Sequence, residues 1–505
     1  GKKIHFFNCY IFIIVFFPAT SKTLFSFFDF FRICKFKFEI PIVIKMKVYF
    51  IIFFIVCTNN LFSQNSVLKE LYGFRMSTSF IFFDVQDRSF TDNVVALDPK
   101  LLCFPGGFGN FYHLNGAGYG VIPEEVAGYN KGVKAKLARS LNAISRKKGH
   151  NENYIYDFID LAKRTKAKVI FNINILNEPV EDYLKVIEIF KEHDLDIIAV
   201  ELGGELYTRE YKDVINGELY LQLAKSCSKN IRENYPDILI GVVAAPVNTL
   251  DRHNIWNKKI SEENFYDAII VHSYAKVIKG RAQDGKMVFE EQESENKKEL
   301  FKIYRDRAII YLQDKYPNEI LEYNEAFNNY PVWITEWNFQ MSKTTGNTML
   351  QALFVPSYLL EILTNPVLKS IELTTFHNMA GRTISASMLL RKKGKMHVMS
   401  SYMPMYMISN IFKNKNYVSS KEIIDELCYK YIFTDNDKSL IFWVNWSDKS
   451  KSDIIPDGLW KMKQYFGDEL YSTTFEKNDI KFYSENVTKE IQLKPYSFTM
   501  IIENE

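Results

Sequence analysis

Cysteine is scarce in this 505-residue chain, with six in all. Cys9, Cys34 and Cys57 fall in the first 63 residues, and Cys103, Cys227 and Cys428 stand far apart. Three isolated thiols make no disulfide framework, and without a CxxC pair or a histidine cluster at ligand spacing nothing indicates a structural metal. A charge excess of one sign is missing too: 63 Lys and Arg oppose 60 Asp and Glu for a net +3. That balance excludes the basic footprint of a nucleic-acid binder and the acidic composition of a disordered tail. A GxGxxG phosphate loop is also absent, since Gly106-Gly107-Phe108-Gly109 lacks the spacing, which argues against a doubly wound nucleotide-binding sheet. What the chain does have is 47% hydrophobic residues, enough to bury a large core.

Residues 1–63 are crowded with Phe, Ile and Lys. Met46-Lys47 opens a basic start, followed by an apolar run over 48–57 and a polar stretch ending at Gln64, so 46–64 reads as a secretory signal peptide. The expected product is an exported protein, periplasmic or extracellular, with no stable membrane anchor once the signal is removed. Residues 1–45 use the amino acids of AT-rich codons and read as translated non-coding sequence. A span over 11–17 is broken up by Pro18 and the charges at Lys22, Asp29, Arg32 and Lys35,.

From about residue 70 to 415, short β-rich apolar runs alternate with segments of helical periodicity. The strands are expected at 72–76, 101–105, 168–175, 197–203, 238–244, 268–273, 332–336 and 370–376, with helices at 153–164, 180–193, 218–234, 297–315 and 348–363 between them. Eight such units over this length make an α/β fold, the (β/α)8 TIM barrel, assigned to 65–415. Residues 276–330 read as the only long insertion, overhanging the catalytic face. Beyond 415 the texture changes to alternating strands at 426–433, 439–446, 461–466, 481–484 and 496–502, which reads as an accessory β-sandwich over 416–505.

In such a barrel the chemistry sits where strands end. Glu205 closes Glu201-Leu202-Gly203-Gly204-Glu205 on the fourth strand, and Glu336 closes Val332-Trp333-Ile334-Thr335-Glu336 on the seventh. A carboxylate ending an apolar strand is costly unless something satisfies or uses it. Two of them across one barrel mouth can flank a glycosidic bond, one protonated to donate to the leaving oxygen and the other ionised to attack the anomeric carbon.

These residues resemble glycoside hydrolase clan A, particularly its α-L-arabinofuranosidase, β-xylosidase and heparanase-like β-glucuronidase branches. Thr335-Glu336-Trp337-Asn338 matches the clan's nucleophile motif, and Glu201 to Glu205 matches its Gly-Asn-Glu acid/base motif except at Gly204. Leu102-Cys103-Phe104-Pro105-Gly106-Gly107, followed by Asn110-Phe111-Tyr112-His113, is similar to its Arg-Phe-Pro-Gly-Gly segment, and Lys494-Pro495-Tyr496-Ser497-Phe498 to its closing strand. The resemblance covers about residues 70 to 505. It implies a retaining hydrolase of polysaccharides or oligosaccharides that needs no cofactor and no metal, with Glu205 as acid/base and Glu336 as nucleophile. Two departures stand out: Gly204 replaces an Asn that binds the sugar 2-hydroxyl, and Cys103 replaces a supporting Arg.

Further substrate-binding candidates are Asn110, His113, Asn174, Gly204, His272, Tyr274, Trp337, Asn338, His377 and Asn378. Asn174 is read either as a donor replacing the lost Asn or as a cap for the loop after its strand. Trp337 is read as a stacking face or as a buried core residue, His113 as a sugar ligand or surface decoration, and His272 as a site residue or local packing. The competing function is a catalytically silent carbohydrate-binding protein on the same barrel. A transglycosylase would use the same two carboxylates.

Overall fold

The computed structural model describes residues 68–503, apart from 77, 117, 130–132, 150–152, 279, 284–285, 290–295, 385, 414–415, 436–437 and 476–478. The upstream segment 1–45 and the signal segment 46–64 lie outside the described residues.

Eight parallel strands close into a barrel: β1 (Gly73–Arg75), β2 (Leu101–Phe104), β3 (Lys168–Ile173), β4 (Ile197–Leu202), β5 (Leu239–Val243), β6 (Ala268–Ala275), β7 (Val332–Phe339) and β8 (Ile371–His377). Their order round the ring is β1-β8-β7-β6-β5-β4-β3-β2. Each expected barrel strand is present, with ends shifted by a few residues. Strand periodicity divides the side chains between two cores. Leu101, Cys103, Ile170, Ala199, Ile270, Trp333 and Leu373 fill the interior, while Leu102, Phe104, Val169, Phe171 and Val200 join the layer under the helices. Gly241 has to lack a side chain here, because a Cβ would lie 2.8 Å from the Trp333 ring and 2.9 Å from Ile270.

The crossover helices are Arg88–Leu97, Ile155–Thr165, Val180–Glu192, Gly217–Asn234, Asp251–Ser261, the run from Lys297–Ile310 through Tyr316–Ala326, and Met349–Thr364. Local chemistry starts several of them. The Asn216 side chain accepts from the N–H groups of Glu218 and Leu219, and Thr348 caps Gln351 in the same way,. Among the described residues, no helix is long and apolar enough to cross a membrane.

Residues 276–330 are not the only long excursion. They hold a hairpin of Gly280–Gln283 and Lys286–Phe289 and then the β6–β7 crossover helices. The β2–β3 connection carries two further helices, Pro123–Tyr129 and Val133–Lys147, ahead of its crossover helix, and it forms part of the wall at the mouth of the barrel.

After helix Tyr402–Ile408 the chain forms a six-stranded antiparallel sheet of β9 (Val418–Asp425), β10 (Cys428–Thr434), β11 (Ser439–Asn445), β12 (Trp460–Gly467), β13 (Ile480–Val487) and β14 (Ser497–Glu503), in the order β9-β10-β11-β14-β12-β13. Lys451–Ile454 and Glu490–Leu493 pair as a separate ribbon. β11 shows why this is a sandwich: Ile441 and Trp443 pack with Ile491 and Leu493 of the ribbon, while Leu440, Phe442 and Val444 join the main core.

Between the barrel and this sheet lies helix Met349–Thr364, whose side chains from Met349 to Leu363 are all buried. A helix apolar all round needs a covering on every face, and the barrel on one side and the sheet on the other supply it. Its one carboxylate, Glu361, is 1% exposed. It is held by Lys421 of β9 at 2.7 Å, by the Tyr431 hydroxyl of β10 at 2.6 Å and by the Gln313 amide at 2.8 Å.

Candidate active site

The polar residues of the site stand at the C-terminal ends of the strands, immediately above the apolar filling of the barrel. Stepping by two from an inward residue stays inward, which takes Leu101 to Cys103, Ile170 to Asn172, Ala199 to Glu201 and Ile270 to His272. Glu201 is fully buried and surrounded by partners. Both terminal nitrogens of Arg75 bind it, with Nη1 donating to Oε1 at 3.0 Å and Nη2 to Oε2 at 3.1 Å. Asn172 Nδ2 donates to Oε2 at 2.6 Å, and the Cys103 thiol lies 3.4 Å from Oε1. Burial, with Glu201 adding to it, pushes the Cys103 thiol pKa up, so it remains a thiol.

Glu336 reaches the same layer through an irregularity in β7. The β6–β7 pairing steps from Val271 opposite Ile334 to His272 opposite Glu336, which inserts one extra residue at Thr335. The bulge reverses the phase of the strand. Glu336 therefore faces the mouth, and Trp337 faces the helices instead. Trp337 is fully buried, stacks on Tyr358 with centroids 4.4 Å apart, and donates its indole N–H to the Thr374 hydroxyl at 3.2 Å. It belongs to the core.

The Glu336 carboxylate has three neighbours: Arg75 Nε 3.0 Å from Oε1, the Tyr274 hydroxyl donating to Oε2 at 2.6 Å, and His272 Nδ1 3.6 Å from Oε2. Burial acts to raise its pKa, but His272, His377, Arg75 and the Tyr274 bond outweigh burial and hold the carboxyl well below the ordinary carboxylate range,. Because Tyr274 gives its proton to Glu336, His377 Nδ1, 3.0 Å from the Tyr274 oxygen, must be the donor in that pair,. Burial pushes the His377 pKa down and favours a neutral ring.

Glu205 differs from Glu336 in backbone conformation and exposure. Its backbone has φ 49°, a left-handed conformation that costs an L-residue roughly 1–2 kcal/mol. Asn110 secures the strained turn by gripping the preceding peptide: Gly204 N–H donates to Asn110 Oδ1 at 2.8 Å, and Asn110 Nδ2 donates to Gly204 O. The Glu205 side chain is 44% exposed against 13% for Glu336, and its Oε1 lies 3.0 Å from His272 Nδ1. Burial would lower the His272 pKa, but Glu336 and Glu205 on either side raise it. One carboxylate oxygen each from Glu205 and Glu336 and one His272 nitrogen all lie within 4.8 Å of one another. The same three groups could hold a cation, although Arg75 beside Glu336 already supplies positive charge there.

Above these groups opens a cleft of about 600 Å³. Lys134, Leu137, Ser140 and Leu141 form part of its wall from helix Val133–Lys147, and Thr78, Phe82, Arg382 and Thr383 form part from the β1 and β8 loops. Of the sequence candidates, Glu205, Glu336, Gly204, Asn110, His272, His377 and Asn378 line it, and Tyr274 supports it from behind.

The others lie elsewhere. His113 pairs with Glu125 at 2.5 Å. Asn174 is fully buried, accepting from the N–H groups of Leu176 and Asn177 and donating to Tyr112 O, which makes it the loop cap of the two readings. Asn338 is a buried brace, donating to His377 O and accepting from Gln351. Arg75, Asn172 and Glu201 were missed. Their signal was an Arg ending the first strand and a Glu inside an apolar one, a pairing across 126 residues. Cys103 stands where a supporting guanidinium was expected, and Arg75 on the adjacent strand supplies one.

No family model matches the chain, and no curated protein matches it by sequence. Solved structures do match. A GH51 arabinofuranosidase from Xanthomonas axonopodis pv. citri has TM-score 0.62 at 12% identity, covering 88% of this chain and 98% of that one. An α-L-arabinofuranosidase from Thermotoga maritima, in an arabinose complex, gives 0.62 at 13% over the same shares. A family 44 endoglucanase from Clostridium acetobutylium gives 0.57 at 9%, covering 87% and 97%. The chain has the fold of these glycosidases. The likeness spans both barrel and sandwich, as the resemblance to clan A implied.

Proposed function

We propose that this protein is a retaining glycoside hydrolase of polysaccharides or oligosaccharides, with Glu336 as nucleophile and Glu205 as general acid/base. The observation that carries the reading is the approach of one oxygen from each carboxylate to within 4.8 Å in unlike surroundings. A retaining pair stands about 5–5.5 Å apart, too close for the intervening water of an inverting enzyme.

Glu336, kept ionised by Arg75, His272 and Tyr274, attacks the anomeric carbon while Glu205 gives its proton to the leaving oxygen. Water then enters from the Glu205 side, loses its proton to Glu205, and releases the sugar from Glu336 with net retention. The greater exposure of Glu205 suits a group that exchanges protons with solvent between the two steps. The His377–Tyr274 chain keeps a proton donor on the nucleophile until charge leaves it.

The structural neighbours named as arabinofuranosidases make 4-nitrophenyl α-L-arabinofuranoside the first probe, followed by xylosides, glucuronides and glucosides. Residues 65–505 are expected to release nitrophenol from one of these and, by NMR, to form first the anomer that matches the substrate. Glycan binding without release of the aglycone by any of them would instead support the silent binding protein. We also propose export through the segment 46–64, which N-terminal sequencing of secreted protein would test by a start near Asn65.

A further inference from the structure

The cations lining the cleft are not all committed. Arg75 is spent on Glu201 and Glu336, and Lys134 pairs with Glu210 at 2.6 Å. Arg382, five residues beyond the end of β8, has no ion-pair partner among the described residues. It rests over the ring of Phe82 in the β1 loop, with its guanidinium carbon 5.4 Å from the ring centroid. Such a contact holds a planar cation in place while leaving its edge donors free. Asn378 stands earlier on the same loop, 6% exposed, and its Oδ1 has no hydrogen-bond partner among the described residues. Both residues line the cleft. An orphaned buried acceptor and an uncommitted guanidinium on one wall are the complement of a ligand that carries a hydroxyl donor and an acidic group.

The ring order places that ligand. β8 and β1 are neighbours, and β4 lies across the barrel from β8. Glu205, at the end of β4, serves the leaving oxygen, so the part of the substrate toward β8 and β1 is the sugar that Glu336 attacks or one beyond it. We propose that this protein selects substrates whose glycone side bears an acidic group, a uronate carboxylate or a sulfate ester, bound by Arg382 with Asn378 accepting from a neighbouring hydroxyl. This rests on the glycosidase reading for its direction and on the cleft alone for its charge. Wall charge of this kind is what lets such a ligand approach a site that holds two glutamates.

The test compares substrate pairs that differ in the acidic group alone: 4-nitrophenyl glucuronide against glucoside, galacturonide against galactoside, and one oligosaccharide with and without its O-sulfate. The expected result is a preference for an acidic member, with the acidic-to-neutral ratio of kcat/KM falling about tenfold in Arg382→Gln, the scale of a charge-assisted hydrogen bond. Arg382→Lys should recover part of that ratio, since it keeps the charge without the fork. A uronide preference assigns the carboxylate, and a preference confined to the sulfated oligosaccharide assigns the sulfate ester. Preference for the neutral members, or a ratio unmoved by Arg382→Gln, overturns the proposal and leaves the hydrolase reading standing. If no glycoside is cleaved, the hydrolase reading fails and calorimetry with the same pairs decides the subsite. Binding of an acidic member that Arg382→Gln abolishes supports it, and equal binding of both members overturns it.

Discussion

Arg75 Nε lies 3.0 Å from Glu336 Oε1 while Nη1 and Nη2 of the same guanidinium hold Glu201. One cation thus serves a carboxylate that has no exposure and another that faces the cleft. Arg75→Met should leave Glu201 buried without its cation, and stranding such a charge costs about 3–5 kcal/mol. Chemical denaturation should show that loss of stability, and Arg75→Met/Glu201→Leu should recover much of it.

Glu336→Gln should abolish turnover on every substrate. Glu205→Ala should still complete the first step on substrates with activated leaving groups, which need little proton donation, and azide should speed the second. Wild-type rates in both variants would show that the pair is misassigned. Burst kinetics and the anomer formed in azide are the readouts.

Tyr274→Phe removes the hydroxyl that donates to Glu336 Oε2 at 2.6 Å. That bond helps hold the Glu336 pKa down, so its loss moves the pKa up, and activity, which needs the ionised carboxylate, should fail at a higher pH on the acid side. A bond to a charged group is worth about 1.5–3 kcal/mol, so kcat should also drop by roughly tenfold or more. An acid limb unchanged in the pH profile of kcat/KM would remove Tyr274 from this role.

Burial, with Asp182 nearby, raises the Glu178 carboxyl from 4.5 to about 9. Between those values the unfolded chain ionises and the folded chain does not, so this residue lowers stability progressively as pH rises from 4.5 to 9. Glu178→Gln abolishes that slope. The variant should gain in melting temperature relative to the parent as pH is raised from 5 to 8.5.

A Cβ added at Gly204 would meet Asn172, His272 and Asn110 at ordinary distances of 3.7–4.0 Å, so Gly204→Asn should fold normally. Asn172 already directs its amide at Glu201 and Gly203 O, at 2.6 and 3.3 Å, which leaves the new Asn as the added donor for a sugar hydroxyl. Higher kcat/KM on simple aryl glycosides is expected. A fall confined to a substituted natural glycan would mean instead that the open space at Gly204 serves that substituent.

The barrel was legible because its strands are short apolar runs between helical periods, and both glutamates were legible because a charge at the end of such a run is conspicuous. The bulge at Thr335 was not, since one extra residue in a strand leaves no mark in composition, and it is what decides between the two readings of Trp337 in favour of the core. The Arg75–Glu201 pair is formed by residues far apart in sequence, and neither partner alone announces the other. Three C-terminal strands, β9, Lys451–Ile454 and Glu490–Leu493, also escaped, because edge and ribbon strands carry charged residues such as Lys421, Glu422 and Asp453, which interrupt the apolar alternation. Helix Val133–Lys147 is amphipathic but lies in a loop region, where nothing in the sequence distinguishes a wall of the cleft from a solvated excursion.

The carboxylate of Glu361 has a further consequence. Its cation and its tyrosine come from β9 and β10, and its amide donor from the β6–β7 crossover, so the charge on this barrel helix is neutralised largely by the C-terminal sheet. Translation completes the barrel strands before Lys421 and Tyr431 exist. Until they arrive, the helix Met349–Thr364 has neither a cover for its outer apolar face nor a counterion for its acid. Residues 416–505 are accordingly expected to stabilise the barrel itself, and the two parts should melt in a single calorimetric transition.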